Sequence, residues 1–238
     1  MMPAAHPSHS LNLCEFLRET AVATGGKPKR ARTRAKILAV TAEEMERVGY
    51  EGLTVSGIIE KASIARGTFY LYYANRTEVA QAVFRRYAVL LRYARPRMTR
   101  NQTEFESIYN YNSYYVAFYA ANAKLLAGRE ALMRDVPEVA EHRDWVNARW
   151  SNIVLRNICK RTNSRTVNME DPTSILLIRS ATAMVDELLR EIYVYKSPTL
   201  NKLVSGNEQL ANLVTLVWYR TIYGVTPSEL APTLNETN

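Results

Sequence analysis

The stretch Thr54 to Glu78, TVSGIIEKASIARGTFYLYYANRTE, constrains the fold of this chain more than any other segment, because about two dozen residues must hold two short helices, a tight joint and the start of a third helix. Val55, Ile58, Ile59 and Ala62 recur at i, i+3, i+4 and i+7, which predicts a helix over 55–62 with one apolar stripe and Thr54 as its N-cap. Ser63 and Ile64 interrupt the stripe. A second helix is expected from about Ala65, with Phe69 and Tyr73, four apart, pointing inward together. Arg66, Gly67, Thr68, Tyr70, Leu71 and Tyr72 must then face outward. A bidentate donor, a gap without a side chain, hydroxyls and aromatics on one short exposed helix suit a major groove better than bulk water. The pattern is that of a helix-turn-helix.

Flanking signals complete a three-helix head. Ile37, Leu38, Thr41, Met45 and Val48 predict a first helix over about 34–48, closed by Gly49 as the residue of positive φ. Asn75 and Glu78 form a capping box, after which Val79, Val83, Tyr87 and Leu90 carry a fourth helix to about Arg95, before Pro96. Together the block resembles the DNA-binding domain of TetR-type repressors. There a helix ending A-x-x-A-G-V-S precedes a recognition helix reading G-T-F-Y-x-Y-F and a basic residue opening helix four. Here Ile58–Ile64, Gly67–Tyr73 and Arg76 stand in those places. Two departures occur: Ser63 replaces the turn glycine, at a cost of about 1 kcal/mol if the left-handed conformation is kept, and Arg76 replaces lysine. The motif covers the chain from Arg34 to the fourth helix; beyond residue 100 the likeness is architectural.

The resemblance implies roles. Arg66, Gly67, Thr68 and Tyr70 are expected at base edges, and Thr54, Ser56, Tyr72 and Arg76 at phosphates. Charge agrees, since residues 27–100 hold 16 Lys and Arg against 6 Glu, a balance of +10, while the segments before and after each come to −1. Clustering of that kind drives phosphate binding through counterion release.

Residues 1–32 read as a flexible basic extension in which Leu13, Phe16 and Leu17 allow one short helix; Lys27, Lys29, Arg30, Arg32 and Arg34 are expected to form an unstructured arm able to reach a minor groove or track phosphates. His6 and His9 are separated by Pro7 with no further ligand nearby, so no metal site is expected. The head is assigned to 33–80, a ligand-binding and dimerisation domain to 81–226, and a tail to 227–238.

In that second domain Thr103 and Glu106 open a helix carrying Phe105, Ile108, Tyr109, Asn112, Tyr115, Val116 and Tyr119 on one face and Tyr111, Tyr114 and Phe118 on another. A helix aromatic on more than one face is enclosed by others, and so many hydroxyls with so little charge suit an apolar pocket with a few polar anchors. Tyr109, Asn112, Tyr115, Tyr119, Trp145 and Trp150 are the expected lining. Pro137 opens a long helix to about Cys159 with Val139, Val146, Trp150, Ile153, Val154 and Ile158 inward. Asp171-Pro172 caps another to about Tyr195, and a last one runs 207–223 to Gly224. Two such terminal amphipathic helices imply, by the resemblance, a four-helix dimer interface, assigned to Ile178, Val185, Leu189, Leu210, Leu213, Val214 and Val217.

Composition narrows the alternatives. The 47% of hydrophobic residues suffices for a substantial core, and the two cysteines, Cys14 and Cys159, read as apolar filler in a reducing cytoplasm. No run approaches the ~18 apolar residues of a membrane helix. Neither a phosphate loop nor a CxxC pair occurs, and the dispersed histidines and cysteines suggest no catalysis or cofactor. The expectation is an all-α homodimeric regulator of the TetR type, most simply a repressor released from a palindromic operator by a small apolar ligand. A ligand-independent architectural DNA-binding protein is the first alternative, and an enzyme or carrier for a lipid-like molecule the second.

Overall fold

The computed structural model describes residues 10–96, 102–161 and 171–224. These form twelve helices: α1 Leu13–Ala23, α2 Lys29–Val48, α3 Val55–Ala62, α4 Arg66–Tyr70, α5 Arg76–Tyr93, α6 Glu104–Ala121, α7 Ala123–Ala127, α8 Arg129–Asp135, α9 Pro137–Arg161, α10 Pro172–Tyr193, α11 Pro198–Asn201 and α12 Asn207–Tyr223. Contacts divide the chain into two units, one of Met1–Arg95 with Ala117–Ala140, the other of Pro96–Val116 with Glu141–Asn238. The first is larger than the expected head at 33–80, because it takes in α1, all of α5, and α7 and α8. The tail at 227–238 lies outside the described residues, as do His6 and His9.

The caps of the first unit follow the residues. Gly49 ends α2 at φ 73. The Thr54 hydroxyl accepts the Gly57 N–H at 3.1 Å to start α3, and Ser63 ends it in the left-handed conformation at φ 48, ψ 52, so the glycine-like geometry survives the serine. Asn75 accepts from the Glu78 N–H at 2.9 Å. Glu78 returns a bond to the Ala74 N–H at 2.6 Å rather than to Asn75 itself. Ile37, Met45, Leu53, Ile58 and Phe69 lose all but 1% of their exposure, each contributing about 1.5–3 kcal/mol of apolar burial. Val79, Val83, Tyr87 and Leu90 of α5 close the same core.

Within the expected flexible extension, the described residues 10–32 are mostly helical. Asn12 accepts the Glu15 N–H at 3.0 Å and starts α1, which buries Leu13, Cys14 and Leu17 and packs along α2. Its anchor is reciprocal: Asn12 Nδ2 donates to Ala121 O at 2.8 Å, while Asn122, itself buried, accepts from Leu13 N at 2.8 Å and donates to Leu11 O at 2.8 Å. Burial and the neighbouring Glu46 carboxylate push the Cys14 thiol well above its ordinary range, so it stays neutral. The basic arm is likewise helical from Lys29 onward. Lys, Arg and Ala are strong helix formers, and Pro28 at φ −52 leads directly into the first turn.

A buried carboxylate ties α2 to α3. Glu44, with its side chain 5% exposed, receives Arg47 in bidentate fashion at 3.0 and 2.8 Å and pairs with Lys61 of α3. The Arg47 bonds outweigh the opposing effect of burial and, with Lys61, hold its carboxyl at about 2. A folded-state pKa below the unfolded value adds stability above the unfolded pKa and loses it as pH falls through the folded one. Acid titration of the wild type should therefore show destabilisation continuing from about pH 4.5 down to about 2. Glu44→Gln should flatten that limb and cost about 1–2 kcal/mol at neutral pH, both cations being largely solvated. Denaturant melts of the two proteins across pH measure it; an unchanged acid limb in the variant would refute the assignment.

In the second unit Thr103 accepts from Glu106 N at 3.2 Å and Glu106 from Thr103 N at 2.8 Å. Asp171 accepts from Thr173 N and Ser174 N at 3.0 and 3.2 Å, with Pro172 in the first turn. α10 and α12 pack on each other. The inner line of α9 is Ser151, Leu155 and the expected Ile158, while Val139, Val146, Trp150, Ile153 and Val154 of the expected stripe are half-buried. A helix with apolar residues on several faces leaves the choice of inner face to its neighbours.

Candidate nucleic-acid interface

The short helix α4 stands on two aromatic feet. Phe69 and Tyr73 are 0% and 3% exposed, lie 6.1 Å apart between ring centroids, and fix which side of α4 faces out. Tyr73 fills its site as a phenylalanine would, its hydroxyl having no hydrogen-bond partner among the described residues. Facing outward are Arg66, Gly67, Tyr70 and Leu71, with Thr68 and Tyr72 half-buried at the margin.

Arg66 and Tyr70 hold each other. The guanidinium lies 5.7 Å from the Tyr70 ring centroid, and Nη2 donates to the Tyr70 hydroxyl at 3.4 Å; the ring in turn meets Phe69 edge-on at 5.5 Å. A planar donor fork kept extended by an aromatic neighbour is suited to paired acceptors such as guanine O6 and N7. At Gly67 an added Cβ would meet nothing within 4 Å, so the fold does not require glycine there; the open surface requires it only if something outside approaches closely.

Thr54 and Ser56 are exposed at the start of α3. Because the Thr54 oxygen accepts the capping bond, its own hydrogen points away and can be donated to an anion. Arg76 differs from its expected place. Its Nη1 donates to Glu51 O at 2.9 Å and Leu53 O at 3.1 Å, so the guanidinium faces the joint between α2 and α3.

Residues 37–83 match the model of the bacterial regulatory proteins of the tetR family. This span runs from the inner face of α2 through α3 and α4 into α5. These residues carry the helix-turn-helix domain of that family. Among solved structures the fold resembles that of the fatty acid degradation regulator FadR from Bacillus halodurans, with a TM-score of 0.53 and 17% identity, over 81% of this chain and 96% of that one. That likeness concerns the fold. No curated protein matches the chain.

The second unit holds part of the expected pocket lining. Tyr109 and Trp150 are half-buried and Asn112 is buried, its amide donating to Thr215 Oγ1 at 3.2 Å. The Tyr115 hydroxyl donates to Asp186 at 2.5 Å, with Arg143 3.8 Å from the same carboxylate. Tyr111, not among the expected lining, stacks on Trp150 at 4.5 Å. Two residues fall elsewhere. Trp145 is 57% exposed on the outer side of α9, stacked with His142 and flanked by Arg149, and Tyr119 is buried within the first unit. Trp145 and Trp150 are five residues apart on α9, roughly 140° around an α-helix, so the two rings leave it in different directions.

The expected dimer residues also change role. Ile178, Val185, Leu189, Leu210 and Val214 are at most 4% exposed within a single chain, and Val217 is half-buried. Of that set only Leu213, 50% exposed, remains on the surface. The stripe read as an interface between chains is the seam between α10 and α12 of one chain. The apolar residues left outside on these helices are Leu176, Met184, Leu213 and Leu216.

Proposed function

We propose that the chain is a homodimeric repressor that binds a palindromic operator in the cytoplasm and leaves it when a small, largely apolar molecule binds among the helices of the second unit. The carrying observation is α4, with Arg66, Gly67 and Tyr70 exposed above buried Phe69 and Tyr73. Arg66, Thr68 and Tyr70 read base edges while Gly67 admits close approach; Thr54, Ser56 and Tyr72 hold phosphates. A second copy, packed through Leu176, Met184, Leu213 and Leu216, repeats the reading helix at one DNA turn, ~34–36 Å, or a multiple. The protein acts by binding rather than by catalysis, and no described helix is long and apolar enough to cross a membrane.

Support for an effector comes from α6 and α9, where Tyr111 stacks on both Tyr115 and Trp150. Each of these helices contributes residues to both units, so an occupant acts on a continuous helix that reaches the first unit. Differential binding of 1–3 kcal/mol between two states is enough, since it changes operator affinity about 5- to 150-fold. One observation favours the effector-independent alternative: Asn112 with Thr215 and Tyr115 with Asp186 already satisfy each other, as in a filled core. Melting in the presence of fatty-acyl and aromatic compounds separates the two, because only a receptor is stabilised.

Selection of bound duplexes from a random pool tests the central reading. The expected outcome is an inverted repeat with half-sites one turn or a multiple apart. Enrichment of no sequence, or of a lone asymmetric site, would count against it.

A further inference from the structure

We propose that Arg76, with the Tyr50 ring against it, is a positioning residue for the recognition helix rather than a phosphate contact, and that Asp135 holds this arrangement through the Tyr50 hydroxyl. The inference rests on the DNA-binding reading and assigns what fixes the geometry of that same head.

The joint of residues 49–54 connects α2 to α3, and everything downstream of it in the head is short. Thr54 at its end is the N-cap of α3, Leu53 before it is fully buried, and α3 leads through Ser63 to α4 within a few residues. Displacing this joint therefore displaces the reading surface. Arg76, the first residue of α5, converges on it: Nη1 lies 2.9 Å from Glu51 O, 3.1 Å from Leu53 O and 3.5 Å from Tyr50 O. The guanidinium carbon stands 5.2 Å from the Tyr50 ring centroid. A planar cation can stack on a ring and donate sideways to carbonyls at once; an ammonium, a compact point charge, does not reproduce both.

Tyr50 is itself fixed from the other side. Its hydroxyl donates to Asp135 Oδ2 at 3.0 Å, which commits its single hydrogen, so the Thr77 hydroxyl 3.2 Å away is the donor to Tyr50. At Gly128, between α7 and α8, a Cβ would lie 3.1 Å from the Tyr50 backbone nitrogen and Cβ. Backbone thus abuts Tyr50 where a side chain would push it away. Asp135 is the last residue of α8, and α9 begins two residues later. The carboxylate is the point at which the segment leading into α9 grips the joint.

The test compares wild type, Arg76→Lys, Arg76→Ala and Asp135→Ala. Affinity for the selected operator and for random DNA is measured over a range of salt, and amide exchange of residues 51–57 without DNA. A positioning role predicts that both Arg76 variants lose operator-to-random preference by about tenfold, the scale of one misplaced base contact, with lysine giving no rescue. The salt slope stays at the wild-type value, and residues 51–57 exchange faster. Asp135→Ala, an exposed site whose loss leaves the core intact, shifts preference and exchange in the same direction by a smaller factor. A phosphate contact predicts the opposite: alanine lowers the slope by about 0.9 per protomer, weakens both DNAs equally, and is rescued by lysine. That result, or unchanged exchange in all three variants, overturns the proposal. If Arg76→Ala does not fold, the lysine and Asp135 variants decide. If the wild type prefers no sequence, the functional reading fails and amide exchange alone judges the clamp.

Discussion

Met184→Glu combined with Leu213→Glu is expected to give a folded monomer with operator affinity reduced by about 10²–10⁴-fold, the range over which linking two binding modules raises avidity. The size follows from where the apolar residues of α10 and α12 go. Their inner rows, among them Ile178, Leu189, Leu210 and Val214, are consumed within the chain at no more than 1% exposure. Their outer rows leave Leu176 at 64%, Met184 at 51%, Leu213 at 50% and Leu216 at 38%. Glutamate at the two central outer positions meets water in a monomer, so folding is spared, whereas a partner copy would have to desolvate up to four unpaired carboxylates. Light scattering after size exclusion measures the assembly, and operator binding its consequence. A double variant that stays dimeric would place the interface elsewhere.

Arg66→Ala is expected to remove about one hundredfold or more of operator affinity while leaving random-DNA affinity within a few fold, because one bidentate base contact is worth ~1–3 kcal/mol and a palindrome contains it twice. Its guanidinium already lies extended along Tyr70, so little ordering remains to be done on binding. Gly67→Ala is the informative companion. With nothing within 4 Å of the added Cβ, the variant gains the ~0.5–1 kcal/mol of helix propensity and melts higher, yet its methyl obstructs close approach to base edges. A higher melting temperature together with weaker operator binding separates the reading surface from the fold. Unchanged operator binding in both variants would move the reading surface off α4.

Local chemistry made much of this legible in the sequence. Thr54, Asn75, Thr103 and Asp171 cap where their side chains predict, since a cap needs partners only two or three residues away, and α3 begins and ends at the expected Val55 and Ala62. What escaped depends on residues far apart. The docking of α1 requires Asn122, more than 100 positions from Asn12 and Leu13. Arg76 was read through its neighbours in sequence, but carbonyls some 25 residues earlier claim it. For α10 and α12, periodicity identified an apolar stripe correctly and could not say whether the same chain or a second copy covers it. Trp145 shows the converse, an aromatic residue presented to solvent where composition suggested enclosure.

The paired grip of Asn12 on Ala121 O and of Asn122 on Leu11 and Leu13 makes the first helix a lid over hydrophobic ground on α2. Trimming the chain to begin at the basic run would strip away Leu13, Cys14 and Leu17 and leave the Asn122 side chain its bond to Phe118 O while removing those to Leu11 and Leu13. Such a shortened protein should be prone to clumping, so fusions and affinity handles belong upstream of Ser10, where they disturb none of these bonds.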